Sequence, residues 1–156
     1  MAKFKLIEGK TSKNEPYAYN GFLNANNEFD ILGTIAWPEN NEYYIGEWLN
    51  NSRTGKGMYL FPSGECYFGG FKSTNKQGIG LRILPDKSYF LGHYNNNLPE
   101  GLGLKIYTNG DFVYGNLKNG KLHDKAVYYH ANTQTFEFNL YENGQEKQEN
   151  LKTNIV

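Results

Sequence analysis

The sequence predicts an all-β fold, a meander of short antiparallel hairpins, and three observations carry that prediction. Glycine stands between large apolar residues at Gly46, Gly69, Gly92 and Gly115, each 23 residues after the last, and a fixed period of this size marks a repeat architecture. The 156 residues include 13 Tyr, 10 Phe and 18 Gly; aromatics favour pleated surfaces, and glycine supplies the positive φ that tight turns need. Polar clusters of turn-forming residues separate the apolar segments throughout.

Residues 1–16 form a lead-in or cap, with a short strand in the partly alternating Lys3-Phe4-Lys5-Leu6-Ile7-Glu8. A blurred first unit spans 17–42. Gly33 and Pro38 precede Gly57 and Pro62 by 24 residues, so the turn Glu39-Asn40-Asn41-Glu42 is expected to carry one extra residue. Four clear units follow at 43–65, 66–88, 89–111 and 112–134, and a half-unit at 135–140 puts Phe138 where the glycine is expected.

Within each unit an aromatic-glycine-aromatic half precedes a second half opening on paired glycines: Gly55 and Gly57, Gly78 and Gly80, Gly101 and Gly103. In the fourth unit the pair becomes Asp124 and Ala126. Asn50-Asn51-Ser52-Arg53, Ser73-Thr74-Asn75-Lys76, Asn95-Asn96-Asn97 and Asn119-Gly120-Lys121 lie between the halves, so each unit reads as strand, turn, strand. Pro62-Ser63-Gly64 and its counterparts then join one unit to the next. The segment 141–156 is polar apart from Leu151, Ile155 and Val156, and is either a loose terminus or a piece folded back on the sheet.

Side chains alternate across a strand, so the repeats can be compared as columns. Tyr44, Tyr67, Phe90, Val113 and Phe136, then the glycines Gly46, Gly69, Gly92 and Gly115, then Trp48, Phe71, Tyr94, Leu117 and Leu140 make one apolar face around a line of glycines. Hairpin register is not fixed by sequence, and a one-residue slip would exchange the second-strand columns. Polarity favours grouping Met58, Leu81, Leu104 and Val127 with the aromatic face and leaving Tyr59, Arg82, Lys105 and Tyr128 opposite. Such a face exceeds the few hundred Å² that monomers expose, so a terminus, a second copy or a partner is expected to cover it.

Sixteen basic and sixteen acidic residues balance to zero net charge, which argues against a broad grip on nucleic acid. The single Cys66 suits a reducing compartment, and the amino terminus lacks a signal-peptide core, so a cytoplasmic address is expected. His93, His123 and His130 sit in no metal-ligand spacing, Cys66 falls in a strand column with Tyr89 and Phe112, and the Gly55-Lys56-Gly57 stretch lacks the ending of a phosphate-binding loop. No metal site, cofactor or catalytic constellation is expected.

Laid out from Tyr44 to Gly64, the unit resembles a MORN repeat (membrane occupation and recognition nexus), closely in that copy and well through Gly110. Lys87 and Thr133 depart from the turn glycine, and Asp124 and Ala126 from the glycine pair. The resemblance implies an elongated, twisted single sheet of tandem hairpins, an open solenoid-like meander without enzymatic activity. It places the family's aromatic positions on Tyr44, Trp48, Tyr67, Phe71, Phe90 and Tyr94, expected to form a groove for a protein or peptide segment or for a homodimer partner. The same residues could instead pack under the termini. The structural glycines are Gly46, Gly69, Gly92 and Gly115, with Gly57, Gly80 and Gly103. The alternative is a phospholipid-binding surface using Lys56, Lys72, Lys76, Arg82 and Lys105.

Overall fold

The computed structural model describes residues 2–154, the last seven of them by backbone alone. Met1, Ile155 and Val156, placed by the sequence in the lead-in and the tail, lie outside the described residues. The chain is all-β and antiparallel, with strands ordered as in the sequence. Two compact units divide it, Met1–Gln77 and Gly78–Val156.

The first unit contains β1 (Lys3–Lys10), β2 (Pro16–Leu23), β3 (Phe29–Trp37), β4 (Glu42–Leu49), β5 (Ser52–Leu60) and β6 (Cys66–Lys72). Strand β7 (Asn75–Ile83) begins there and ends in the second unit. The second unit continues with β8 (Tyr89–Asn95), β9 (Leu98–Ile106), β10 (Phe112–Lys118), β11 (Lys121–His130), β12 (Thr135–Glu142) and β13 (Gln145–Asn154). Most of the segment 141–156 is therefore regular structure: β13 adds to the sheet edge by pairing with β12.

Hairpin chemistry explains the strand boundaries. Asn50 and Asn51 (φ 47° and 63°), Asn96 and Asn97 (47° and 73°), Asn119 and Gly120 (52° and 76°) and Asn143 and Gly144 (53° and 83°) fill two-residue turns with both residues left-handed. That conformation matches strand twist and selects Asn and Gly. At the other strand ends, five-residue loops close by a hydrogen bond across the loop, as from the Phe61 amide to the Glu65 carbonyl at 2.9 Å. Their left-handed residue is Gly64, Lys87 or Gly110.

The β3–β4 and β11–β12 connections are one residue longer. Ala36 pairs with Tyr43 and Tyr129 with Phe136, each enclosing six residues, where Leu60 and Cys66 enclose five. The extra residue expected in the Glu39 to Glu42 turn is present, in a 3-10 turn over Pro38–Asn40. The extra residue before Phe136 was not foreseen. It shifts β12 by one, so Asn139, not Phe138, stands opposite Ala126. Phe138 and Leu140 are exposed as a result.

The hairpin register differs from the polarity-based expectation. Gly46 pairs with Gly57 and Tyr44 with Tyr59, while Ile45 pairs with Met58. Tyr59, Arg82, Lys105 and Tyr128 thus share the face of the large aromatics, and Met58, Leu81, Leu104 and Val127 share the other face with Ile45, Leu91 and Tyr114. The physical cause is close approach. A Cβ on Gly57 would lie 2.7 Å from Tyr44 Cζ, and one on Gly46 only 2.6 Å from the Gly57 Cα. Only paired glycines leave room for the ring, and that steric requirement outweighs the polarity of Arg82 and Lys105.

The candidate partner-binding surface

Every strand from β2 to β10 contributes one glycine to a cross-strand row, one row in each unit. In the first unit the row is Gly21, Gly33, Gly46, Gly57 and Gly69; in the second it is Gly80, Gly92, Gly103 and Gly115, ending in Ala126 and Asn139. Tyr19 and Tyr44 lie over this trough in the first unit, and Phe90 takes the same place in the second. Tyr19, Tyr44 and Tyr67 donate their hydroxyl hydrogens to the carbonyl three residues ahead, on Phe22 (2.9 Å), Glu47 (3.0 Å) and Gly70 (3.1 Å). A buried tyrosine hydroxyl needs such a partner, so the bond fixes each ring flat.

Just beyond the trough each repeat bulges. Gly46 pairs with Gly57 but Glu47 with Thr54, leaving Gly55 and Lys56 unopposed. Gly55, Gly78 and Gly101 have φ of 53°, 76° and 76°, which explains the first member of each glycine pair. Asp124 and Ile31 occupy the same place in the irregular units with φ of 63° and 61°. The Glu47 carboxylate bridges the bulge by accepting the Lys56 amide at 2.7 Å.

The six aromatics expected to meet a partner are buried by the chain itself. Tyr44 and Tyr67 have 0% exposure, Tyr94 1%, Trp48 and Phe71 6%, and Phe90 9%. Their cover is mutual. Trp48 meets Tyr19 and Tyr44 edge-on at 5.7 and 5.1 Å, and Phe71 meets Tyr44 and Tyr67 at 5.2 and 5.3 Å. The Trp48 indole N–H donates to the Gly33 carbonyl at 3.1 Å. Arg53 closes the top, its guanidinium 4.6 Å from the Tyr59 ring centre and 5.6 Å from that of Tyr44. No terminus or second chain is needed as a lid over these rings, contrary to the expectation from apolar area. Burial pushes the Tyr19 and Tyr67 hydroxyls up to about 12. Tyr59 reaches about the same value through burial, then its bond to the Glu42 carboxylate.

Clefts with an aromatic floor open on this face. In the first unit a cleft of about 350 Å³ is lined by Trp37, Trp48, Arg53, Tyr59, Glu15 and Glu42, among others. In the second, about 280 Å³ opens between Phe90, Tyr107, Leu122, Tyr128, Arg82 and Lys105. Of the six predicted aromatics, Trp48 and Phe90 reach these clefts. The wall residues Tyr59, Arg82, Lys105 and Tyr128 were assigned to the wrong face, and the signal that finds them is the pairing of glycine with glycine.

The opposite face is apolar and exposed. Ile45, Met58 and Phe68 form one cross-strand row in the first unit, with exposures of 46%, 36% and 60%. In the second unit Leu91, Leu104, Tyr114, Val127 and Phe138 form another. A shallow depression of about 740 Å³ lies there among Ile79, Leu91, Leu102 and Tyr114.

The MORN repeat family model matches residues 44–66 and 90–112. Those two segments are MORN repeats. The first matched segment covers most of β4, all of β5 and the loop to β6; the second covers most of β8, all of β9 and the loop to β10. No curated protein matches this chain. Among solved structures, the TCP domain of SAS-4 from Drosophila melanogaster, in complex with a proline-rich motif of Ana2, is 12% identical with a TM-score of 0.48, covering 87% of this chain and 90% of that one. A mutant of the TCP10 domain of CPAP from Danio rerio is 10% identical with a TM-score of 0.26, covering 97% and 99% respectively.

Proposed function

We propose that this chain is a non-catalytic, cytoplasmic protein-interaction module whose aromatic-floored clefts receive a partner segment or part of a second copy. The observation that supports this most is a rigid floor with open space above it. The rings are locked by hydrogen bonds and by one another, so a partner would meet a surface that loses little side-chain freedom on binding. Tyr, Trp and Arg walls add large, stiff contact area.

Among the described residues no three His, Cys, Asp or Glu gather into a metal-holding group. Burial and then the nearby Glu65 push the Cys66 thiol up, which disfavours a nucleophilic thiolate.

Panning a displayed random-peptide library on the full chain tests the proposal. Binders are expected that Trp37→Ala or Tyr107→Ala weakens and Phe68→Ser leaves intact. Absence of binders, or binders lost only on substituting Phe68 or Leu91, would overturn it.

The exposed Ile45–Phe68 and Leu91–Phe138 rows favour a second contact surface. The phospholipid alternative draws on the lysines and on that apolar face. Liposome co-sedimentation at two salt concentrations separates it, since electrostatic lipid binding falls with salt.

A further inference from the structure

Resting on the interaction-module reading above, we infer that the first-unit cleft anchors a basic protein segment, seating an arginine or lysine side chain on Trp37 within reach of the Glu15 and Glu42 carboxylates. Glu15, Glu42 and Arg53 line this cleft, two negative charges against one positive. Trp37 ends β3 and pairs directly with Glu42, the first residue of β4. Side chains paired in this way stand about 5 Å apart at Cβ, so a cation over the indole is close to the Glu42 carboxylate. Glu15 is fixed where the β1–β2 loop closes. The Thr11 amide donates to its carbonyl at 2.8 Å, and its own amide donates to Thr11 Oγ1 at 3.2 Å.

The chain satisfies these carboxylates without neutralising them. Thr11 Oγ1 donates to Glu15 at 3.3 Å, and the Tyr59 hydroxyl donates to Glu42. Neutral donors leave the negative charge in place, and in a part-buried cleft that charge favours a cation more than it would in water. Arg53 lies over rings, its guanidinium 4.6 Å from the Tyr59 centre and 6.0 Å from that of Phe71. Tryptophan is the ring that attracts cations most strongly. A guanidinium stacked on Trp37 can also fork to a carboxylate at the ring edge, which favours arginine over lysine.

The shape of the groove points to a segment and not to a lone cation. Beyond Phe29, Ile35 and Trp37 the cleft of about 350 Å³ continues into a neighbour of about 450 Å³ that shares those three residues. Ile7 and Tyr17 line the neighbour, and no charged residue does. One compartment therefore takes a basic side chain and the other an apolar one from the same partner.

The same displayed library, panned on the full chain, reads out this chemistry. Enriched peptides should carry Arg or Lys close to Leu, Phe or Tyr, and a fluorescein-labelled representative should bind about tenfold more weakly to Glu15→Gln and to Glu42→Gln. Replacing the basic residue of the peptide by glutamine should weaken binding similarly, and combining that change with Glu42→Gln should add little further loss. Circular dichroism melts verify each fold; if Glu42→Gln is unfolded, Glu15→Gln and the substituted peptide carry the test. Binders that are not basic, or that ignore these substitutions, overturn the basic anchor while sparing the interaction module. Failure to select any binder overturns both. Spermidine displacing the peptide at equal concentration would overturn the protein-segment assignment in favour of a small cation.

Discussion

Gly46 and Gly57 face each other across the β4–β5 pair so closely that a Cβ on Gly46 would lie 2.6 Å from the Gly57 Cα, and the Tyr44 ring rests on both. Register, ring position and the neighbouring bulge all follow from this contact. Adding a methyl group at either position must displace the ring or part the strands. Gly46→Ala should cost about 1–3 kcal/mol, the range for overpacking, and Gly46→Val more. Urea unfolding measures this; an unchanged midpoint would show that the trough is looser than described.

Ile31 carries a different consequence. It holds the bulge position that glycine occupies in three later repeats, with φ of 61° and a side chain 54% exposed. A β-branched residue there is strained, while its side chain contributes little burial. Ile31→Gly is expected to stabilise the chain by about 1 kcal/mol, because relief of strain exceeds the entropy that glycine adds to the unfolded state. A thermal melt shifted downward would contradict it.

Phe90 lies over Gly92 as Tyr44 lies over Gly46, but has no hydroxyl to bind a carbonyl three residues ahead. Phe90→Tyr should place a donor at the His93 carbonyl and add about 0.5–1.5 kcal/mol, the net value of an intramolecular hydrogen bond. Denaturant unfolding of this variant beside Tyr44→Phe, expected to lose a similar amount, provides the check. A loss in Phe90→Tyr would mean the second-unit trough is shaped differently at its end.

The fold was legible because two signals agreed: the interval from Gly46 to Gly115 gave the repeat, and Asn-rich pairs such as Asn50-Asn51 and Asn96-Asn97 placed the turns. The face of the second strand was not, because polarity and sterics conflicted there. Arg82 and Lys105 suggested solvent, yet a long basic side chain can stand at the rim of an apolar face with its stem against rings. Gly57 opposite Gly46 decided the register, and its weight came from a ring-to-backbone distance that sequence does not contain. At β12 the misreading was local: one extra residue before Phe136 exchanged the two faces of that strand. The six aromatics were recognised as a set, but their burial depended on edge-on packing between strands, which a column-by-column comparison treats as independent exposed area.

The aromatic row is a buried floor under the clefts. Trp48 reports on it directly, since only two tryptophans are present. In a Trp37→Phe variant all indole emission comes from Trp48, which is 6% exposed with its N–H bound to Gly33. Acrylamide quenching should be weak and the emission blue-shifted in the free chain. Quenching close to that of free indole, from a variant with an unchanged melting profile, would place Trp48 on the surface and contradict the buried floor.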